Sequence, residues 1–183
     1  MKLAPTDTAV LEQVRSAFPD APLMFDANGG FTEADFPLLQ HWDSFGLVMM
    51  EQPLATSDWS GHQRLATLLK TPICLDESIV APADADLMKM TRAGQILNIK
   101  PARVGGLTNA LSLRTKAPYW LGGMFESGIG RRQTLAFATL PVSLIRLIWQ
   151  VLLITLKKIC SRSLIMLNMD TFAIQPRLYL KHS

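Results

Sequence analysis

Glycine is missing from the last 53 residues, because all eleven glycines lie at or before Gly130. Ordinary sequence is about 7% glycine, so a run of that length without one marks a different kind of sequence. Charge divides the chain near the same place. Residues 1–140 hold 12 basic and 14 acidic side chains, whereas residues 141–183 hold six basic ones and a single acid, Asp170. The net charge of +3 is therefore an average of two unlike pieces. It is no sign of a nucleic-acid partner, since the basic residues of the tail are scattered among leucine and isoleucine instead of forming a patch. Cysteine is scarce as well. Cys74 and Cys160 do not make a disulfide framework, and Cys74, inside an apolar run, reads as a small buried hydrophobe. The three histidines, His41, His62 and His182, show no metal-ligand spacing, and surface or core roles suffice for them. No basic segment leading into an apolar stretch opens the sequence, so a cytoplasmic, reducing setting is expected.

What is present is a regular alternation. Apolar residues make up 49% of the chain and charged ones 18%, which permits a sizeable core and weighs against wholesale disorder. The runs "PLMFD" (22–26), "LVMME" (47–51), "PICLD" (72–76) and "ILNIK" (96–100) have the length and two-sided apolarity of buried strands. Helical segments lie between them: residues 8–18, "FTEADFPLLQHW" with Thr32 as N-cap and Asp35 three residues on, "WSGHQRLATLL" and "PADADLMKM". Strand alternating with helix predicts a parallel sheet. The residues that end the strands, Lys2, Asp26, Glu51, Asp76, Lys100 and Met124, are 24, 25, 25, 24 and 24 positions apart. One βα unit per step of that size is the repeat of a (β/α)₈ TIM barrel, with its active site at the carboxyl ends of the strands. An open doubly wound sheet shares the local pattern but would not so easily bring six consecutive strand ends around one centre.

Three of those strand ends are acids. Neighbouring strands run about 5 Å apart, and three carboxylates that close cannot all stay ionised without a counter-charge. A hard divalent cation with oxygen ligands resolves the repulsion, and Mg²⁺ suits a few carboxylates plus water and substrate. The competing reading is that each acid caps the helix that follows it. Lys100 is a second anomaly, a cation closing a buried strand just before Pro101 and the Gly105–Gly106 turn. With Lys2 on the other side, a cation flanked by two lysines suits removal of a proton α to a carboxylate: the metal stabilises the ene-diolate and lysine moves the proton.

"FDANGGF", "MEQPL", "CLDESI", "NIKPARVGG" and "GGMFESGIGR", in this order and at these spacings, resemble the enolase superfamily. Within it they resemble the muconate-lactonizing group, in its o-succinylbenzoate synthase and N-acylamino acid racemase branch. The resemblance covers about residues 2–140. It implies Asp26, Glu51 and Asp76 as Mg²⁺ ligands, Lys100 as the lysine of the sixth barrel strand, and Lys2 as the second lysine of a Lys-x-Lys on the second. It implies Asn28, Gln52 and Glu77 as braces behind the metal ligands, with Ser78 either a further brace or a plain N-cap. Gly122, Gly123, Met124, Glu126 and Ser127 would line a small-molecule carboxylate substrate at the end of the seventh strand, or form no more than a glycine-rich turn. In the synthase, a lyase of menaquinone biosynthesis that dehydrates its substrate to o-succinylbenzoate, the second-strand lysine would be base and then acid. Lys100 would hold the ring by a cation–π contact. In a racemase the two lysines would work as opposed acid and base.

Against the family pattern, the sequence predicts a fragment: residues 1–140 as strands two to seven of the barrel, without the α+β capping domain and first strand, and residues 141–183 as a tail outside the family. Only about two helical turns fit between Leu107 and Lys116, so the helix there should cover its strands poorly. As a hypothesis, a shifted reading frame produced the tail and a late start codon produced Met1; translation of the coding DNA in other frames tests it, and lack of an enolase-like eighth strand downstream would refute it. Residues 140–158 are apolar enough to raise a membrane span as an alternative, at the lower limit of length and with Arg146 inside at a cost of about 2.5 kcal/mol. A non-catalytic remnant and an enzyme completed by a second chain or a homo-oligomer are the other expectations.

Overall fold

The computed structural model describes residues 1–138 and Leu140. The expected tail at 141–183, including Cys160, His182 and nearly all of the apolar stretch, lies outside the described residues. Among the described residues there are five strands: β1 (Met24–Asp26), β2 (Met49–Glu51), β3 (Ile73–Leu75), β4 (Ile96–Ile99) and β5 (Tyr119–Leu121). They pair in chain order and all in parallel, as one curled sheet. Between and around them run α1 (Thr8–Ala17), α2 (Phe36–Asp43), α3 (Trp59–Leu68), α4 (Pro82–Thr91), α5 (Leu107–Leu113) and α6 (Gly128–Ala138). This is the βα alternation of a partial barrel. β1 and β2 begin two residues later than expected, at Met24 and Met49, and β3 and β4 end one residue earlier, at Leu75 and Ile99; two differences are larger. The first expected strand is reduced to one bridge, Lys2 beside Asp26, so the sheet has five strands instead of six. β5 stops at Leu121, three residues before Met124, because Gly122 and Gly123 supply no side chain to hold a strand together.

Successive strand side chains face opposite ways, and the sheet uses this to separate two chemistries. Phe25, Met50, Ile73, Leu75, Leu97, Ile99, Tyr119 and Leu121 face the helices and join one large core with Leu11, Leu39, Trp42, Leu65, Met88 and Leu113. Trp42 anchors it, with its ring edge-on to Phe25 at 5.2 Å and to Phe31 at 5.6 Å, a favourable aromatic geometry. The concave face carries a second, smaller cluster: Met24, Met49, Cys74, Ile96 and Trp120. Each is followed two residues later by a polar residue or glycine: Asp26, Glu51, Asp76, Asn98 and Gly122. The concave side is thus an apolar floor with a polar rim at the carboxyl ends of the strands.

Register sets the order along that rim. Asp26 stands directly beside Glu51, whereas Glu51 stands beside Cys74, two residues short of Asp76. That stagger is the mark of tilted strands in a barrel wall. Local signals fix the helices behind it. The Thr32 amide donates to the Asp35 carboxylate at 2.8 Å, as expected for the start of that helical segment. Asp84 accepts from the amides of Val80 and Ala81 ahead of α4, and Asp58 accepts from the Gly61 amide at the start of α3. The α5 helix is seven residues long, about two turns, and leaves Leu107 and Leu111 exposed. Among the described residues no helix is long and apolar enough to cross a membrane.

Candidate active site

The polar rim brings Lys2, Asp26, Glu51, Asp76 and Lys100 into one row. Asp76 and Glu51 are 1% and 2% exposed, a burial seen in carboxylates only where something pays their desolvation. Glu51 accepts a hydrogen bond from Asn98 Nδ2 at 2.6 Å, a neutral donor. Burial, reinforced by the negative charges of Asp76 and Asp26, pushes its carboxyl up to about 8. Asp76 has cationic partners: Lys100 Nζ lies 2.5 Å from Oδ2, and Arg103 Nη1 donates to Oδ1. Burial pushes the Asp76 carboxyl up while those two cations oppose it. Asp26, at the other end of the row, is 3.3 Å from Lys2 Nζ. The order is therefore amine, carboxylate, carboxylate, carboxylate, amine, from Lys2 to Lys100. The two lysines differ in setting: the Lys2 side chain is 75% exposed, that of Lys100 13%.

The expected braces sit one shell behind. Asn28 accepts from Lys2 Nζ at 2.6 Å and donates to Asp26 at 3.2 Å and to Glu77 at 2.8 Å. Gln52 is wholly buried and stitches two strand ends together. Its Oε1 accepts from the amides of Asp76 and Ser78, and its Nε2 donates to Leu54 O and Ser78 Oγ. Both Asn28 and Gln52 take left-handed backbone angles, φ 46° and 38°, which lets the chain turn sharply off the strand and aim the side chain back across the rim. Replacing Gln52 by Ala leaves two buried amides unpaired and should cost about 2–3 kcal/mol of stability by urea unfolding. Ser78 is no N-cap: Ala81 caps α4, and Ser78 Oγ donates to Thr56 O while receiving Gln52.

The glycine-rich end of β5 divides in two. Gly122 lies against the site, where a Cβ would stand 2.2 Å from Asn98 Oδ1 and 2.6 Å from Lys100 Cε, so no other residue fits without displacing them. Met124 Sδ contacts Arg103 at 3.7 Å. Glu126 turns back to the Met124 amide, Ser127 Oγ accepts from the Gly130 amide, and a Cβ on Gly123 would stand 3.8 Å from Glu126 Oε2, an ordinary contact. Two residues of the site were not singled out from the sequence, Asn98 and Arg103. Asn98 could have been found as the polar residue two before Lys100, on the same strand face. Arg103 reaches Asp76 from a turn that no strand pattern describes.

His62 and Cys74 have the structural roles expected of them. The Leu54 amide donates to His62 Nε2 and burial holds the imidazole below its usual range. Cys74 is a free, buried thiol that accepts from Trp120 Nε1 at 3.3 Å in the apolar floor.

As they stand, no three His, Cys, Asp or Glu side chains among the described residues are grouped to hold a metal ion. The three carboxylates are instead drawn toward Lys2 and Asn28, Asn98, and Lys100 with Arg103. Their chemistry nevertheless fits a hard cation. All the donors are carboxylate oxygens on one face of adjacent strands, and Glu51, in the middle, is the buried acid without a cationic partner of its own.

Comparison with known proteins bears on the family and the fold. Residues 2–147 match the family described as Enolase C-terminal domain-like. The chain is 50% identical over 139 residues to the o-succinylbenzoate synthase of Geobacillus kaustophilus, covering 73% of this chain and 37% of that protein. It is 43% identical over 140 residues to the N-succinylamino acid racemase of Thermus thermophilus, covering 74% and 38%. A crystal structure of an enolase superfamily member from Enterococcus faecalis superposes with a TM-score of 0.71 at 42% identity, over 75% of this chain and 39% of that one. The chain thus spans under two-fifths of the length of these relatives. With its parallel βα sheet and the match over residues 2–147, the chain belongs to the enolase C-terminal domain-like family.

Proposed function

We propose that the chain carries the cation-binding and proton-moving part of a lyase that forms o-succinylbenzoate by dehydration, the reaction expected for menaquinone biosynthesis in a reducing, cytoplasmic setting. The observation that carries this reading is the row in which Lys2 and Lys100 bracket Asp26, Glu51 and Asp76. Asp26, Glu51 and Asp76 would hold Mg²⁺, with Asn28, Gln52 and Glu77 fixing their rotamers. When bound, Mg²⁺ supplies a positive centre for charge that develops on the substrate carboxylate. Lys2, the exposed amine, takes the proton from the carbon α to that carboxylate. The resulting ammonium returns the proton to the departing hydroxyl, so the C–H and C–O bonds break, a C=C bond forms and water leaves. Lys100 faces the ring as a cation, and Gly122, Gly123, Met124, Glu126 and Ser127 line the substrate.

The placement of the two amines at opposite ends of the row favours one second reading, racemisation of an N-succinylamino acid, in which one lysine removes the proton and the other returns it on the opposite face. An assay for o-succinylbenzoate formation, run beside deuterium exchange from D₂O into N-succinylamino acids, separates the two. Lys2→Ala and Lys100→Ala should each lower the supported reaction at least about a hundredfold. Activity unchanged in both variants would refute the assignment.

A further inference from the structure

Asn98 lies on the concave face between Glu51 and Lys100 and is 1% exposed. Its Nδ2 donates to Glu51 Oε1, and that bond decides which way the other end of the amide faces. Oδ1 is buried without a hydrogen-bond partner, a costly state for an amide oxygen that has an alternative. The oxygen and the Cε of Lys100 crowd one point, the place where Gly122 has no side chain. Meanwhile the Lys100 ammonium sits on Asp76, which Arg103 engages as well. Asn98 Oδ1 and Lys100 Cε stand 2.2 and 2.6 Å from that one point, so the unpartnered oxygen is a near neighbour of the end of the lysine side chain.

We propose that Asn98 is a positioning residue that couples occupation of the carboxylate row to the placement of Lys100. When a divalent cation draws on Asp76, the Lys100 ammonium turns to Asn98 Oδ1 and stays on the concave face. The inference rests on Asp26, Glu51 and Asp76 as cation ligands. A cation at Asp76 repels the neighbouring ammonium, and Asn98 Oδ1 is the buried acceptor beside it that has no partner. The same amide keeps its hold on Glu51 throughout, so one side chain serves the cation and the lysine together. Gly122 is required because a Cβ there would stand 2.2 Å from Asn98 Oδ1 and 2.6 Å from Lys100 Cε, and would force the two side chains apart.

The test measures acetylation of Lys100 by acetic anhydride, read by mass spectrometry, in the full chain with and without saturating Mg²⁺. Calorimetry gives the Mg²⁺ affinity in parallel. Wild type is compared with Asn98→Leu, which keeps the volume and removes both polar atoms, and with Gly122→Ala, which keeps both polar atoms and wedges them apart. In wild type, Mg²⁺ should leave Lys100 protected, because one partner replaces the other. In both variants Mg²⁺ should speed its labelling about tenfold while exposed Lys70 is unchanged, and Mg²⁺ affinity should fall about tenfold. A merely structural role would change labelling equally with and without Mg²⁺. If Asn98→Leu unfolds, Lys100 labels like Lys70 in both conditions and the Gly122→Ala result decides. Wild type that binds Mg²⁺, with variants that bind it equally well and show no Mg²⁺-dependent labelling, overturns the inference and leaves the cation site standing. Wild type that binds no Mg²⁺ overturns both.

Discussion

Replacing Asp76 by Ala should destabilise the chain by about 3–5 kcal/mol, the cost of breaking a buried ion pair from one side. Asp76 is 1% exposed and meets two cations, Lys100 and Arg103, whose side chains are themselves 13% and 15% exposed. Without the carboxylate, two largely desolvated positive charges are left facing each other. The cost is therefore the stranded charge more than the lost attraction. That distinction has its own signature: adding Lys100→Met and Arg103→Leu to Asp76→Ala should recover a large part of the loss, since no unpaired charge remains. Urea unfolding of the single and triple variants measures both. A triple variant less stable than Asp76→Ala alone would show that the cations were never a burden on the fold.

Glu51 should make the stability of the cation-free chain depend on pH in the direction opposite to an ordinary salt-bridged acid. Its carboxyl is held up to about 8 in the folded state against 4.5 in the unfolded chain. Between those values the folded state keeps a proton that the unfolded state has released. Stability then falls as pH rises through the window, and the full penalty is present above pH 8. The shift corresponds to something on the order of 5 kcal/mol across the window. Burial is the larger cause and the charges of Asp76 and Asp26 the next, so Glu51→Gln, which keeps the shape and cannot ionise, should flatten the profile. Unfolding in urea with EDTA, at steps of pH from acid to mildly alkaline, reads the slope. A stability that climbs with pH over this range, or a slope unaltered by Glu51→Gln, would contradict the assignment.

How much of this was legible in the sequence follows from which forces set each feature. The carboxyl ends of β1 to β4 could be read to within a residue, because burial on both faces makes those strands continuous apolar runs and each run halts at Asp26, Glu51, Asp76 or Lys100. The 24- and 25-residue spacing carried the barrel, since each step is one complete βα unit. β5 was read too long because a glycine pair offers neither a propensity nor a hydrophobic face to mark where a strand stops. Asn28 and Gln52 were placed by resemblance, and the structure gives the cause: left-handed turns at both positions fold their amides back over the rim. Asn98 and Arg103 went unread for different reasons. Asn98 is camouflaged by the isoleucines and leucine of its strand, and its partner Glu51 is 47 residues away. Arg103 depends on the shape of a turn, which no periodicity encodes. Ser78 looked like a cap because its sequence neighbours suit one, but tertiary hydrogen bonds to Gln52 and Thr56 claim it instead.

The claim on which the rest depends is that Asp26, Glu51 and Asp76 serve one cation together. A calorimetric titration of Mg²⁺ into the full chain, beside a variant carrying Asp26→Asn, Glu51→Gln and Asp76→Asn, tests it most directly. One equivalent bound by the wild-type chain and none by the triple variant is the expected result. No binding by the wild type, or binding that survives the loss of all three carboxylates, would contradict it.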